Sequence, residues 1–315
     1  MKEKIMTLSE STAPPSLGTK MAWFKRLSRI EILGLIVWSG IALYALMSII
    51  PLFLAFYYSL TNLNLLYPAS DFVGFENYGK LINDFAFKRS LSLTFKMSLI
   101  ITITVNLVGL LIAMMLNFND RYHSFLRTLF FIPQVLSGVV VSFIWKIILA
   151  NRGLLNAILE QVGLIEKPIN WLGLPDLAFI SIVIVVTWQL IGFNAVIYLA
   201  SLQGIPQDLM EAAQIDGANR WQQFWNITWP LIAPGVTINM VLMLIIAFKL
   251  YDQVAVLTTG GPGGATETLS YYIVRIAFTN NRTGYASAMA VVLFLIIAAI
   301  SSVVVGFLKT REVEY

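Results

Sequence analysis

The sequence predicts an all-α, polytopic membrane protein with six transmembrane helices. Hydrophobic residues occupy 58% of the 315 positions, charged residues only 12%, and the mean hydropathy is +0.77. A water-soluble globular chain is much less apolar than this. Six apolar runs each exceed the ~20 residues that a helix needs to cross the hydrocarbon core of a bilayer. These runs are residues 32–60, 92–116, 126–149, 177–202, 231–257 and 286–308.

The apolar runs also divide the chain. The expected parts are a polar N-terminal tail at 1–30, a first span at 31–60, an extracytoplasmic loop at 61–91, a core of five spans at 92–310 and a C-terminal tail at 311–315. The first run is too long for the apolar core of a signal peptide. Six Lys and Arg residues precede it, so the positive-inside rule places both termini in the cytoplasm.

A polar loop, residues 204–230, separates the fourth and fifth spans and is called the Glu211 loop below. Pro206 at the entry and Gly217 at the exit predict a helix over 207–215. A second helix is expected from Asn219 to Trp229, ended by Pro230 and lying against the protein's own membrane domain. On local physics alone, ordinary solvated loop helices are the simpler interpretation.

The order of residues in this loop carries a resemblance. Glu211-Ala212-Ala213, Asp216-Gly217-Ala218, Phe224, Ile227, Pro230 and Pro234 resemble the EAA loop of binding-protein-dependent ABC importer permeases. Outside the loop, DFVGFENYGKL at 71–81, TTGGPGGATETL at 258–269 and YASAMA at 285–290 resemble segments of the carbohydrate and glycerol-phosphate branch. The resemblance covers the chain from about Ile32 onwards, and Trp229 stands where the family usually has Leu.

The resemblance implies a type I ABC importer transmembrane domain that forms a translocation pathway and works by alternating access. The implied solute is a sugar or sugar-like molecule: an oligosaccharide, a polyol or glycerol phosphate. Glu211, Ala212, Ala213, Asp216 and Gly217 would couple the chain to an ATPase.

The implied partners are a second homologous permease, two cytoplasmic ABC ATPase subunits and an extracytoplasmic solute-binding protein. The implied location is a bacterial or archaeal cytoplasmic membrane, crossed several times. ATP would be bound by the partner subunit, so no cofactor is expected in this chain.

Polar residues inside the apolar runs are candidates for the substrate pathway. A charge near the bilayer centre costs about 3 kcal/mol on insertion scales, so such residues usually face a bundle interior or an aqueous cavity. Lys249 and Asp252 are three positions apart and would share one face of a continuous helix, where they can neutralise each other. Hydrogen bonds between helices explain the amides equally well. The candidates are Gln189, Asn194, Asn239, Lys249, Tyr251, Asp252 and Gln253.

Other function classes have less support. A secondary carrier or channel that uses Lys249 and Asp252 as an ion relay is the alternative to an importer subunit. The sequence has no cysteine and no H-E-x-x-H, G-x-S-x-G or G-x-x-x-x-G-K-[ST] motif, so neither an enzyme, a metal site nor a nucleotide site is expected. The absence of a basic stripe argues against nucleic-acid binding.

Overall fold

A computed structural model describes residues 34, 36–67, 70–118 and 120–310. Both predicted tails, 1–30 and 311–315, lie outside the described residues, and so does the basic cluster before the first span. Within the described ranges every regular element is a helix, and β-structure is limited to two isolated bridges, which confirms the all-α prediction. The chain separates into two units between Ala55 and Phe56.

The helices are numbered in chain order. α1 is the first apolar helix and includes a π-helical segment, Ala45–Ile49. Two further π-helical segments, Phe224–Thr228 and Arg275–Thr279, follow α9 and α13. The bounds are α1 Ile36–Ser59, α2 Glu76–Asn83, α3 Phe85–Met115, α4 Arg121–Val135, α5 Gly138–Ile148, α6 Leu154–Gln161, α7 Pro175–Gln203, α8 Gln207–Ile215, α9 Arg220–Gln223, α10 Trp229–Leu231, α11 Ala233–Phe248, α12 Asp252–Leu257, α13 Leu269–Val274 and α14 Thr283–Lys309.

The third predicted span is a bent pair of helices, not one straight helix. α4 and α5 meet at 97°. The described chain has five helices of sufficient length and apolarity to cross a membrane, and six if this bent pair is counted as one span. Pro133 lies inside α4 and has no N–H to continue the helical ladder. Leu136 is extended, and the Ser137 hydroxyl accepts a hydrogen bond from the Val140 N–H, which starts α5 afresh.

The fifth predicted span is interrupted between α11 and α12. Tyr251 leaves the helical region, with φ −128° and ψ −56°. The break frees the carbonyl groups of Phe248 and Leu250, and the hydroxyls of Ser270 and Thr268 donate to them at 3.2 and 2.7 Å. The segment after α12 therefore folds back to satisfy backbone groups that a continuous helix would have paired internally.

The second span begins at Phe85, seven residues before the predicted start, because Asp84 caps it. One Asp84 oxygen accepts from the N–H groups of Ala86 and Phe87, and the other accepts from the hydroxyls of Tyr285 at 2.6 Å and Tyr272 at 3.1 Å. Burial disfavours the charged form, but these hydrogen bonds lower the pKa of Asp84 below its ordinary value. These hydrogen bonds of Asp84, called the Asp84 clasp below, connect α3, α13 and α14.

Two close helix contacts in the core depend on glycine. A side chain at Gly192 on α7 would collide with the backbone of Phe130 on α4, and one at Gly109 on α3 would collide with the Asn194 side chain on α7. Small residues allow membrane helices to approach each other in this way. The contacts bring α3 and α4 against α7, and buried Ile101 and Val105 of α3 lie in one apolar cluster with Val186 of α7.

Candidate functional site

A cavity of about 380 Å³ lies where the bend of the third span meets the break in the fifth, against α7. Its polar wall contains five of the seven residues predicted for the substrate pathway. Gln134, just after the helix-bending proline, also lines it and has a buried side-chain oxygen without a hydrogen-bond partner in the described structure. The five predicted residues are Gln189, Lys249, Tyr251, Asp252 and Gln253.

Two amides connect the walls of this cavity. The Gln253 side chain donates to the Gln189 side chain at 2.8 Å, and Gln189 donates to the Leu136 carbonyl at 3.2 Å. The second bond satisfies a carbonyl at the bend that the helix cannot pair itself. A Cβ at Gly138 would lie 2.9 Å from a carboxylate oxygen of Asp252, so a larger residue there would displace the Asp252 side chain. Sequence reasoning did not identify Leu136 or Gly138, because no local pattern marks a backbone carbonyl or a close approach between distant segments.

Lys249 and Asp252 do not form the predicted pair. Lys249 caps the end of α11 and Asp252 begins α12, so the helix break separates them and they do not share a helical face. No ion pair joins them among the residues that the structure describes. Tyr251, at the break, instead stacks on Tyr271 with ring centroids 6.0 Å apart.

Asn194 and Asn239, the other two predicted pathway residues, lie away from this cavity. Both are fully buried. Asn239 donates to the Asn194 carbonyl at 3.2 Å, and Asn194 donates to Asn106 at 3.4 Å, while the Tyr198 hydroxyl donates to Asn106 at 2.7 Å. The chain of bonds joins α3, α7 and α11, which is the interhelical hydrogen bonding left open as the alternative for the amides.

The first helix of the Glu211 loop has the predicted bounds, Gln207–Ile215, with Pro206 at its start. Gly217 has φ +77°, and its N–H bonds the Gln214 carbonyl at 3.1 Å while the Ala218 N–H bonds the Ala213 carbonyl at 2.9 Å. This is the Schellman arrangement that ends a helix in a left-handed residue. The predicted glycine stop is therefore confirmed.

α8 has two different faces. Met210 and Ala213 are half-buried, and Met210 lines a cavity of about 420 Å³ between α8 and the ends of the neighbouring spans. Leu209, Ala212 and Ile215, three positions apart, are exposed, and Ile215 is 87% exposed. Residues spaced in this way share a helix face. Of the two alanines predicted to couple to an ATPase, Ala212 therefore belongs to this outward face, whereas Ala213 is half-buried against the domain.

The second helical part of the Glu211 loop, residues 220–231, is called its second arm below. It does not end at Pro230 as predicted. α9 continues through the π-helical segment Phe224–Thr228 into α10, and Pro230 is tolerated near the start of α10. The arm does pack on its own domain, through Gln223, Phe224 and Thr228. Trp221 and Trp225 point away from that contact and are exposed.

The glycine-rich loop, residues 258–268, lies at the opposite end of the fifth span from the Glu211 loop. The Thr266 hydroxyl donates to the Gly261 carbonyl at 2.6 Å, and Arg89 of α3 donates to the Gly263 carbonyl at 2.6 Å. Glu267 pairs with Arg275 at 2.9 Å. Burial raises the pKa of the Glu267 carboxyl, and the two arginines oppose that rise. The loop thus has a fixed shape. Glu267 lies in the segment 258–269 that carried the resemblance, whereas no local sequence signal pointed to Arg89.

Comparisons with known proteins agree with this architecture. Residues 105–312 match the family described as "Binding-protein-dependent transport system inner membrane component". The probable starch degradation products transport system permease protein AmyD of Thermoanaerobacterium thermosulfurigenes is 37% identical over 266 residues, covering 84% of this chain and 90% of that protein. The multiple sugar-binding transport system permease protein MsmF of Streptococcus mutans is 35% identical over 263 residues, covering 84% and 90%.

The fold is also found in a solved structure. A chain of a bacterial ABC transporter involved in the import of the acidic polysaccharide alginate superposes with a TM-score of 0.77 at 22% identity, covering 92% of this chain and 99% of that chain. The family match spans well over half of the sequence, and the relatives match over most of their length. The protein therefore belongs to the family of binding-protein-dependent transport system inner membrane components.

Proposed function

We propose that this protein is one membrane-spanning subunit of an ATP-driven importer for a sugar or sugar-like solute. The observation that carries the proposal is α8. None of its nine residues is buried, although Pro206 starts it and the Schellman motif at Gly217 caps its C-terminal end. An isolated helix of this length is only marginally stable in water, so packing against a partner is the expected source of its stability.

The outward face of α8 suits a protein partner. Leu209, Ala212 and Ile215 form a small apolar strip, with the exposed carboxylates of Asp208 and Glu211 beside it. The partner proposed here is a cytoplasmic ATPase subunit, one of two, which binds and hydrolyses the ATP. In this proposal the Glu211 loop and both termini lie in the cytoplasm, which agrees with the Lys and Arg excess of the N-terminal tail.

The solute is proposed to pass through the cavity at the bend and the break. Its wall offers amide groups from Gln189 and Gln253, a carboxylate from Asp252 and an ammonium group from Lys249, all of which can hydrogen-bond sugar hydroxyls. The ring of Tyr251 can stack on the apolar C–H face of a sugar. The names of AmyD and MsmF, which refer to starch products and multiple sugars, support this solute class.

Alternating access would require a second homologous permease across the pathway and rigid-body movement of the two subunits. Interrupted helices that line a central cavity are a recurring feature of transporters, because unwound backbone can bind solute or act as a hinge. An extracytoplasmic solute-binding protein completes the proposed assembly, as the family description suggests. A secondary carrier with a Lys249–Asp252 relay is not favoured, because the break separates the two residues.

The experiment is to purify the tagged protein from its native membranes in mild detergent, identify the subunits that accompany it by mass spectrometry, and reconstitute the complex in vesicles. We expect a P-loop ATPase, a second permease and ATP-driven uptake of labelled maltooligosaccharides that survives collapse of the proton and sodium gradients. Uptake that needs a gradient and no ATPase would refute the proposal.

A pair of variants tests the role of α8. Ile215→Asp places a charge on the outward apolar strip and should release the ATPase subunit from the purified complex. Gln214→Asp makes the same addition one position away, beside the half-buried face, and should retain it. Equal retention in both variants would show that the outward face does not bind the ATPase.

A further inference from the structure

Three tryptophans form an exposed ladder on the second arm of the Glu211 loop. The ring centroids of Trp221 and Trp225 are 5.6 Å apart, and those of Trp225 and Trp229 are 5.8 Å apart. Phe224 supports the ladder at 5.1 Å from Trp225 and 6.1 Å from Trp229. Trp225 lies in the π-helical segment Phe224–Thr228, and Trp221 and Trp229 lie in α9 and α10 on either side of it.

The ladder leads directly into the membrane-spanning part of the chain. The solvent-exposed fraction of the side chain falls from 70% at Trp221 to 46% at Trp225 and 37% at Trp229. Trp229 lies four residues before the start of α11. Beside Trp229 lies a mainly apolar cavity of about 220 Å³. The other lining residues come from the entry to α11, its first turns and the end of α14: Pro230, Ala233, Val236, Thr237 and Leu308.

The chemistry of the ladder matches the boundary between lipid headgroups and acyl chains. Tryptophan is enriched at that depth, because its ring is apolar and its N–H needs a polar acceptor. None of the three indole N–H groups has an acceptor within the described chain. Arg220 begins α9 and Lys309 ends α14 next to Leu308; both are exposed and neither is paired with a carboxylate in the described residues.

We propose that the Trp221–Trp225–Trp229 ladder is a lipid-binding anchor, and that the cavity beside Trp229 holds an acyl chain of an anionic phospholipid. Continuity with the spans α11 and α14 points to lipid as the occupant. The unpaired cations favour an anionic headgroup, since Lys and Arg side chains near such a surface are attracted to it. The anchor would fix the second arm at the membrane surface and leave the outward face of α8 for its partner.

Because the sequence contains no cysteine, a spin label can be attached at one introduced cysteine and its depth in the membrane measured there. The full chain carrying a spin label at Trp225→Cys is reconstituted in phosphatidylethanolamine and phosphatidylglycerol vesicles. The label reports collisions with two reagents: oxygen, which concentrates in lipid, and a nickel chelate, which stays in water. Gln214→Cys on the exposed part of α8 is the matched control. We expect the ratio of oxygen to nickel collisions to be severalfold higher at position 225 than at position 214.

Two results would overturn the anchor. Equal nickel access at both positions would place the ladder in water. Protection from both reagents, whether from the start or only after the ATPase subunit is added, would mean that the ladder is covered by protein.

The cavity is tested separately by native mass spectrometry of the purified protein. Ala233→Phe fills the space beside Trp229 and should remove a bound phosphatidylglycerol. Val303→Phe, at an exposed position on α14, should retain it. Retention of the same lipid in both variants would refute the acyl-chain site.

Discussion

Replacing Gly217 by alanine should weaken the binding of α8 to the proposed ATPase subunit without disturbing the membrane-spanning helices. Gly217 has φ +77°, and no atom lies within 4 Å of the position that a Cβ would occupy. The added methyl group therefore meets no obstacle, and the cost is conformational: about 1–2 kcal/mol for a non-glycine residue in the left-handed region. That cost falls on a helix with no buried residue to resist it.

A cost of this size changes the ratio of capped to frayed α8 by a factor of about 5–30. Because the ATPase subunit is proposed to bind the capped form, its apparent affinity should fall with the population of that form. The assay is titration of purified ATPase subunit onto the protein in lipid nanodiscs, followed by the ratio of solute imported to ATP hydrolysed. Both the affinity and the ratio should decrease for Gly217→Ala.

Two controls make the prediction specific. Gly217→Asn should be close to wild type, because asparagine tolerates the left-handed region. Gly163→Ala introduces the same methyl group at φ +76°, also in open space, at the end of α6 across the membrane, and should not affect ATPase binding. Wild-type affinity in Gly217→Ala, or an equal loss in Gly217→Asn, would refute the capping argument.

Two further predictions concern stability, measured by thermal unfolding in detergent. Gly192→Ala should lower Tm strongly, because its methyl group collides with the rigid backbone of Phe130, whereas Gly306→Ala, with open space around it, should not; equal Tm values would show that α4 and α7 separate easily. Asp84→Asn should lower Tm at neutral pH, because it removes the charged acceptor of the clasp. The pKa of Asp84 in the folded protein is lowered below its ordinary value of 3.8. The charged carboxylate therefore stabilises the fold above pH 3.8, and this stabilisation is lost as the pH falls through the lowered pKa. The gap between wild type and Asp84→Asn should therefore narrow in acid, and a gap that is constant with pH would contradict the assignment.

Features encoded by neighbouring residues could be predicted from the sequence. α8 has its predicted bounds because Pro206 and Gly217 act through their own backbone geometry. The apolar runs likewise located the membrane helices to within a few residues, apart from the early start of α3 and the bend in the third span. That start depends on Asp84, whose cap is a local signal but whose two tyrosine partners are about two hundred residues away.

The candidate site could be predicted only in part. Polar residues within apolar runs were correctly identified as unusual, yet nothing local separates Gln189, which lines the cavity, from Asn194, which bonds neighbouring helices. Both are amides buried in α7. The difference lies in which helix each one faces, and that is set by packing.

The sequence by itself determined that this is an all-helical membrane protein with a polar loop that ends its helix at Gly217. Pro133 is a local cause of one break, but tertiary structure decided which groups make both breaks possible. A membrane helix can interrupt its backbone ladder only where other groups satisfy the freed carbonyls, and here these are Gln189 at the bend and Thr268 and Ser270 at the break. Those donors come from distant parts of the chain, so the cavity that they frame exists only once the helices have packed.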